Sequence, residues 1–183
     1  MMGVTINASI TLDPNADVGS TTAGGPGAST VSGTAYTLEL AHESGLSIGL
    51  GTEEIENGTA VSATSTGNDE DNATGYVKYS AGPLTVGYQE SYQNGANGAE
   101  DKEGEMWGIA YTSGDISVSY GESAFQNAGL AGSTVIETEM DSIQIAYTMG
   151  AMTISAATFE TSNAAGIAGR TFEESEIAVS FAF

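Results

Sequence analysis

Cysteine is absent from the 183-residue chain, which excludes a disulfide framework and any thiolate metal site. Basic residues are almost absent too: three Lys and Arg stand against 24 Asp and Glu, a formal net charge of -21. Phosphate contacts need Lys and Arg, so ordinary nucleic-acid binding is excluded. Anionic headgroups likewise find no basic cluster to hold them. No run approaches the roughly 18 uninterrupted apolar residues of a membrane-spanning helix. The start, Met1-Met2-Gly3-Val4-Thr5, lacks the basic opening and apolar core of a secretory leader. For an exported protein, that reads as a mature form or a piece of a longer chain. Histidine occurs once, as His42 beside a short turn, and no serine has a histidine partner for a triad. An enzyme is not expected.

What the chain does have is alternation with a period of two. Ile177, Val179, Phe181 and Phe183 alternate with Glu176, Ala178, Ser180 and Ala182. The same pattern runs through Ile143-Ile145-Tyr147, Trp107-Ile109-Tyr111, Leu84-Val86-Tyr88 and Val4-Ile6-Ala8-Ile10-Leu12. Each predicts a strand with one apolar face and one small, polar face. Phe159 falls out of step with Ile154 and Ala156, which predicts a bulge in that segment.

Connections alternate in length. Short turns carry Gly45, Gly82, Gly114 and Gly150, and long polar connections lie at roughly 13–33, 53–72, 93–104, 125–138 and 162–173. Short turns at one end and long loops at the other describe an up-and-down meander between two unlike environments. The count is about ten strands of nine to ten residues in one domain over 1–183, near the ~9–11 that span a bilayer when tilted.

A soluble sheet of this kind needs something to cover its apolar side, and no amphipathic helix is available. Two such sheets covering each other, a secreted acidic β-sandwich that binds a partner, is the competing architecture. Against it, the second face is made of Ser, Thr, Gly and Ala rather than the Lys and Glu of a wetted surface. A transmembrane antiparallel β-barrel satisfies every backbone group in lipid by closure. In that barrel Glu39, Lys78, Gln89, Gln144 and Glu176 share the lumen face, with Lys78 the one basic residue expected inside a strand. Tyr79, Tyr111 and Tyr147, each just before a short turn, form with Trp107 an aromatic girdle. Filling of strand positions by a residue of high β-propensity is the plainer account of those tyrosines. Acidic groups in the long connections, Asp69, Glu70 and Asp71 among them, are candidates for Ca²⁺ or Mg²⁺, including cations that bridge lipopolysaccharide, although charge runs of this kind are usually just solvated. No other cofactor is expected.

The ending Ile177-Ala178-Val179-Ser180-Phe181-Ala182-Phe183 resembles the terminal strand of bacterial outer-membrane barrels. Asp141–Gly150 followed by Met152-Thr153-Ile154 is similar to the penultimate hairpin of alphaproteobacterial general porins. The resemblance runs from about residue 33 onward. It implies an outer-membrane channel for passive diffusion of ions and small hydrophilic solutes, and a homotrimer of sixteen-stranded barrels. It also implies that Ile177, Val179, Phe181 and Phe183 are read by the barrel-assembly machinery. About ten strands make this chain the C-terminal portion of such a barrel, or else a genuine ten-stranded one. A non-channel barrel with a structural or adhesive role is the other reading, and the acidic excess points to cation preference.

Overall fold

Alternating apolar and small residues, interrupted by glycine at tight turns, build a single sheet in the computed structural model of the protein, which describes residues 3–13, 31–57, 69–94, 101–128 and 135–182. The first five strands are β1 (Val4–Asp13), β2 (Val31–His42), β3 (Leu46–Asn57), β4 (Glu70–Ala81) and β5 (Leu84–Gln93). The other five are β6 (Asp101–Ser113), β7 (Ile116–Ala128), β8 (Thr138–Met149), β9 (Met152–Ser162) and β10 (Phe172–Phe181). Each pairs antiparallel with the next, so sheet order is chain order. The architecture is the all-β up-and-down meander expected from the hairpin repeat. Barrel closure is not part of it: among the described residues β1 pairs with β2 alone and β10 with β9 alone.

Strands run 10 to 13 residues and extend further into the long connections than the alternation suggested. Glu53, Glu54, Asp71, Asp101, Glu103, Glu173 and Glu174 are therefore strand residues, not loop residues. Polar side chains on both faces hide these strand ends from a hydrophobicity pattern, while the backbone ladder continues. The bulge expected near Phe159 is not there. Ser142 faces Phe159 and Glu174 faces Phe159 in unbroken registers. Phe159 simply places its ring on the small-residue side.

Three short turns have two residues, Gly82-Pro83, Gly114-Asp115 and Gly150-Ala151, each with glycine at positive φ (58°, 58° and 60°) in the first position. That conformation suits the twist of the strands it joins and is open to glycine at no steric cost. The first turn has three residues and ends on Gly45 at φ 92°. A Cβ there would stand 1.9 Å from the Ser80 carbonyl oxygen.

The ladders carry a uniform stagger. Leu40 faces Ile48, and Leu46, two residues along β3, faces Tyr79. Tyr79 faces Val86, and Leu84 faces Tyr111. Tyr111 faces Val118, and Ile116 faces Tyr147. Tyr147 faces Ile154, and Met152 faces Phe181. The short-turn end thus advances two residues per hairpin, or one residue per strand. With ~3.3 Å of rise per residue and ~4.8 Å between strands, the strands tilt by about 35°, within the range of closed barrels.

Among the described residues no layer covers the apolar side of the sheet. Ala164 is the only buried hydrophobic residue described, whereas Ile143 is 52% and Ile177 79% exposed. Within the strands the buried residues are Gly49 and Gly104. The Tyr76 ring covers the first and the Phe125 ring the second, with a Cβ on either glycine meeting ring carbons at 2.1 and 2.8 Å. No described helix is long and apolar enough to cross a membrane, which says nothing about crossing by strands.

The β9–β10 connection is tied down by its own polar groups. Asn163 Nδ2 donates to the Glu137 carbonyl (3.0 Å), Thr138 Oγ1 donates to the Asn163 carbonyl (3.0 Å), and the Gly169 N–H donates to Asn163 Oδ1 (3.0 Å). Arg170 caps the segment by lying 4.8 Å from the Phe172 ring centre.

Candidate functional site

Two faces follow from the register. On the apolar face, Tyr79, Tyr111 and Tyr147 each stand two residues before the end of their strand, and the stagger places them on one line. Phe181 continues that line on β10. Trp107 does not lie on it. It stands four residues before Tyr111 on the same strand, opposite Tyr88, and meets Tyr120 edge to face at 5.5 Å. Tyr88, Trp107 and Tyr120 make a second aromatic group further from the short turns. Sequence reasoning merged the two because parity gives the face of a residue and not its height.

Directly beyond this second group the face becomes acidic. Going from the short turns toward the long connections, the first charged residue on this face is Glu54 on β3, Asp71 on β4, Glu90 on β5 and Glu105 on β6. On β7 to β10 it is Glu122, Asp141, Glu160 and Glu173. Many are direct neighbours: Glu54 faces Asp71, Glu90 faces Glu105, and Glu122, Asp141, Glu160 and Glu173 form one continuous row. The aromatic polar atoms reach up to them. Tyr88 Oη donates to Glu90 (2.5 Å), Trp107 Nε1 to Glu122 (2.7 Å), and Tyr120 Oη to Glu122. Below the carboxylates the face is mostly apolar, as in Met149, Tyr147, Ile145 and Ile143 of β8, with Thr52, Thr158 and Ser175 next to the acidic margin on β3, β9 and β10. The four β8 positions span about 20 Å along the strand, which the 35° tilt reduces to about 16 Å of height, or about 20 Å with side-chain width.

The opposite face holds Glu39, Lys78, Gln89, Gln144 and Glu176 together, as their shared parity required. Glu39 and Gln89 lie in one register row, which runs through Gly49 and Tyr76. Gln144 and Glu176 lie in another, joined by Ala157. Tyr76 reaches across Gly49 to donate to Glu39 at 2.7 Å, and Gln89 donates to Thr74 at 3.1 Å. Lys78 is not alone: Lys102 opens β6 on the same face, opposite Gln93. The sequence gives no sign of it, because the polar stretch 93–104 reads as a connection. Another unremarked feature is a row of glycines, with Gly87 facing Gly108 and Gly108 facing Gly121.

Glu70 and Asp71 are adjacent on β4, so they stand on opposite faces and do not converge with Asp69 on one ion. Glu70 instead accepts from Asn72 (3.1 Å) and Gln93 (2.6 Å). Among the described residues no group of three or more carboxylate or imidazole side chains is placed to hold a metal. Ile177, Val179 and Phe181 are aligned on the apolar face, and Phe183 lies outside the described residues. No protein-family model, curated protein or solved structure matches the chain.

Proposed function

We propose that this sheet is the wall of a bacterial outer-membrane β-barrel, and that the barrel is a porin through which ions and small hydrophilic solutes diffuse passively. The observation that carries the reading is the levelled apolar face. Once the stagger is allowed for, aromatic residues line both margins of one apolar band, and a carboxylate marks its upper edge on β3 to β10. A sandwich core has no reason to align its polar boundary along a 35° tilt; a hydrocarbon slab imposes that alignment on every strand. At about 20 Å the band is thinner than the ~25 Å usual for such barrels, in keeping with a thin outer membrane and with Tyr and Trp reaching into the headgroups.

An open sheet cannot sit in hydrocarbon with two unpaired edges. The β1 and β10 edges are therefore joined there to each other or to further antiparallel strands. The small-residue face favours the second arrangement, because narrow barrels fill their interior with side chains. Ser, Thr, Ala and Gly leave a water-filled bore of the sixteen-stranded kind, assembled as a homotrimer in contact with lipopolysaccharide. The segment Ile177 to Phe183 serves the assembly machinery. The test is reconstitution of the chain in planar bilayers. Discrete conductance steps are expected. Protein that inserts without current supports a structural or adhesive barrel, and protein monodisperse in plain buffer with a covered apolar face refutes both.

A further inference from the structure

Charge is sorted between the two faces. On β5 to β9 every carboxylate stands on the apolar-parity face, Glu90, Glu105, Glu122, Asp141 and Glu160 among them, and none on the small-residue face. Both strand lysines stand on the small-residue face. In a chain of net charge -21 this leaves the middle of that face neutral to cationic, opposite to what the overall acidity suggests. Around Lys78 the facing and diagonal residues on the face are Ser47, Gly49, Thr85, Gly87 and Gln89, with no carboxylate among them.

Beside Lys78 lies a depression of about 430 Å³, floored by Gly87, Gly108 and Gly121 and flanked by Tyr76, Met106 and Phe159. Strand spacing puts Gly121, three strands away, about 14 Å from the Lys78 backbone. The glycines of this face are of two kinds. Gly49 and Gly104 each lie beneath an aromatic ring of the protein. Among the described residues, a Cβ on Gly87, Gly108 or Gly121 would find no ring among its nearest atoms within 4 Å, only backbone atoms and the Lys78 and Ser142 side chains. A strand glycine can mark a place where a ligand or another backbone approaches closely.

We propose that this depression is a subsite for small monoanions with a flat apolar body, the aromatic carboxylates. The ring lies on the glycine floor, as Tyr76 lies on Gly49, and the carboxylate meets the Lys78 ammonium. The proposal rests on the porin reading for its use in transit: a solute pauses here and leaves, so affinity is on the order of millimolar.

The probes are benzoate, neutral benzyl alcohol and benzylammonium, titrated into the refolded full chain in detergent micelles and followed by ring-proton NMR. Circular dichroism checks the sheet of each variant. Benzoate is expected to bind saturably, benzylammonium not at all. Lys78→Met should weaken benzoate about tenfold, in line with the loss of one charge-assisted hydrogen bond, and Lys78→Arg should retain it. Gly87→Leu fills the floor, where a Cβ meets nothing closer than 3.7 Å, and should abolish binding of benzoate and benzyl alcohol alike. Benzoate binding that is absent, or unchanged by Lys78→Met, or matched by benzylammonium, overturns the proposal. Bilayer conductance is read separately: current without benzoate binding defeats the subsite alone, and Lys78-dependent binding without current defeats the channel alone.

Discussion

Strand β8 offers a depth series on one face. Met149, Tyr147, Ile145, Ile143 and Asp141 occupy successive positions from the short turn toward the long connection, and Gln144 points the other way. Ile145 sits mid-band, between Val118 and Ala156, with half its surface exposed. A basic side chain at the midplane of a membrane barrel costs about 2–4 kcal/mol, falling to about 0–1 near the interfaces. Ile145→Arg should therefore lower the folding equilibrium about thirty- to several-hundred-fold. Ile143→Arg, nearer the acidic margin, should cost less. Asp141→Arg should be neutral or stabilising, because it interrupts the row formed with Glu122 and Glu160. Gln144→Arg, one residue from Ile145, should stay within about 1 kcal/mol of the parent, since its side chain enters water. The assay is equilibrium unfolding from lipid vesicles in guanidinium, with the fluorescence of the single tryptophan, Trp107, as the signal. Equal costs for Gln144→Arg and Ile145→Arg, or a cost that rises toward Asp141, would refute the assignment of faces.

Gly45→Ala should destabilise by more than Gly82→Ala, because both hold positive φ but only at Gly45 does the new methyl strike backbone; unfolding midpoints measure the difference. Glu160→Gln should raise the unfolding midpoint at low salt by relieving repulsion from Asp141 and Glu173. The gain should vanish near 1 M salt, where screening acts over about 3 Å. Gly49→Ala should displace the Tyr76 ring and free Glu39, so that Gly49→Ala and Tyr76→Phe combined cost less than their separate effects sum to, as a double-mutant cycle will show.

Much of the fold was legible because alternation and turn glycine are local signals. Ile177, Val179 and Phe181 fix a face within one segment, and Gly82-Pro83 or Gly150-Ala151 fixes the register of its own hairpin. Register across a long connection is not local. Nothing in residues 93–104 says that Tyr88 faces Trp107, and only that pairing reveals the one-residue stagger. For the same reason parity alone groups Trp107 with Tyr111, and it leaves Glu54, Asp71 and Glu173 inside long connections, apart from the strand carboxylates they align with. Lys102 was missed because a strand end with polar residues on both faces has no hydrophobic period to betray it. The shared face of Glu39, Lys78, Gln89, Gln144 and Glu176 needed parity alone.

The chain has no native cysteine, so single cysteines at 143, 144, 145, 146 and 147 can each carry an environment-sensitive fluorophore without background. In vesicles, brominated lipid should quench labels at 143, 145 and 147, and an aqueous quencher those at 144 and 146. Labels at 143, 145 and 147 that are shielded from both quenchers, or reached from water, would mean that protein or solvent covers the apolar face, and the membrane account would fail.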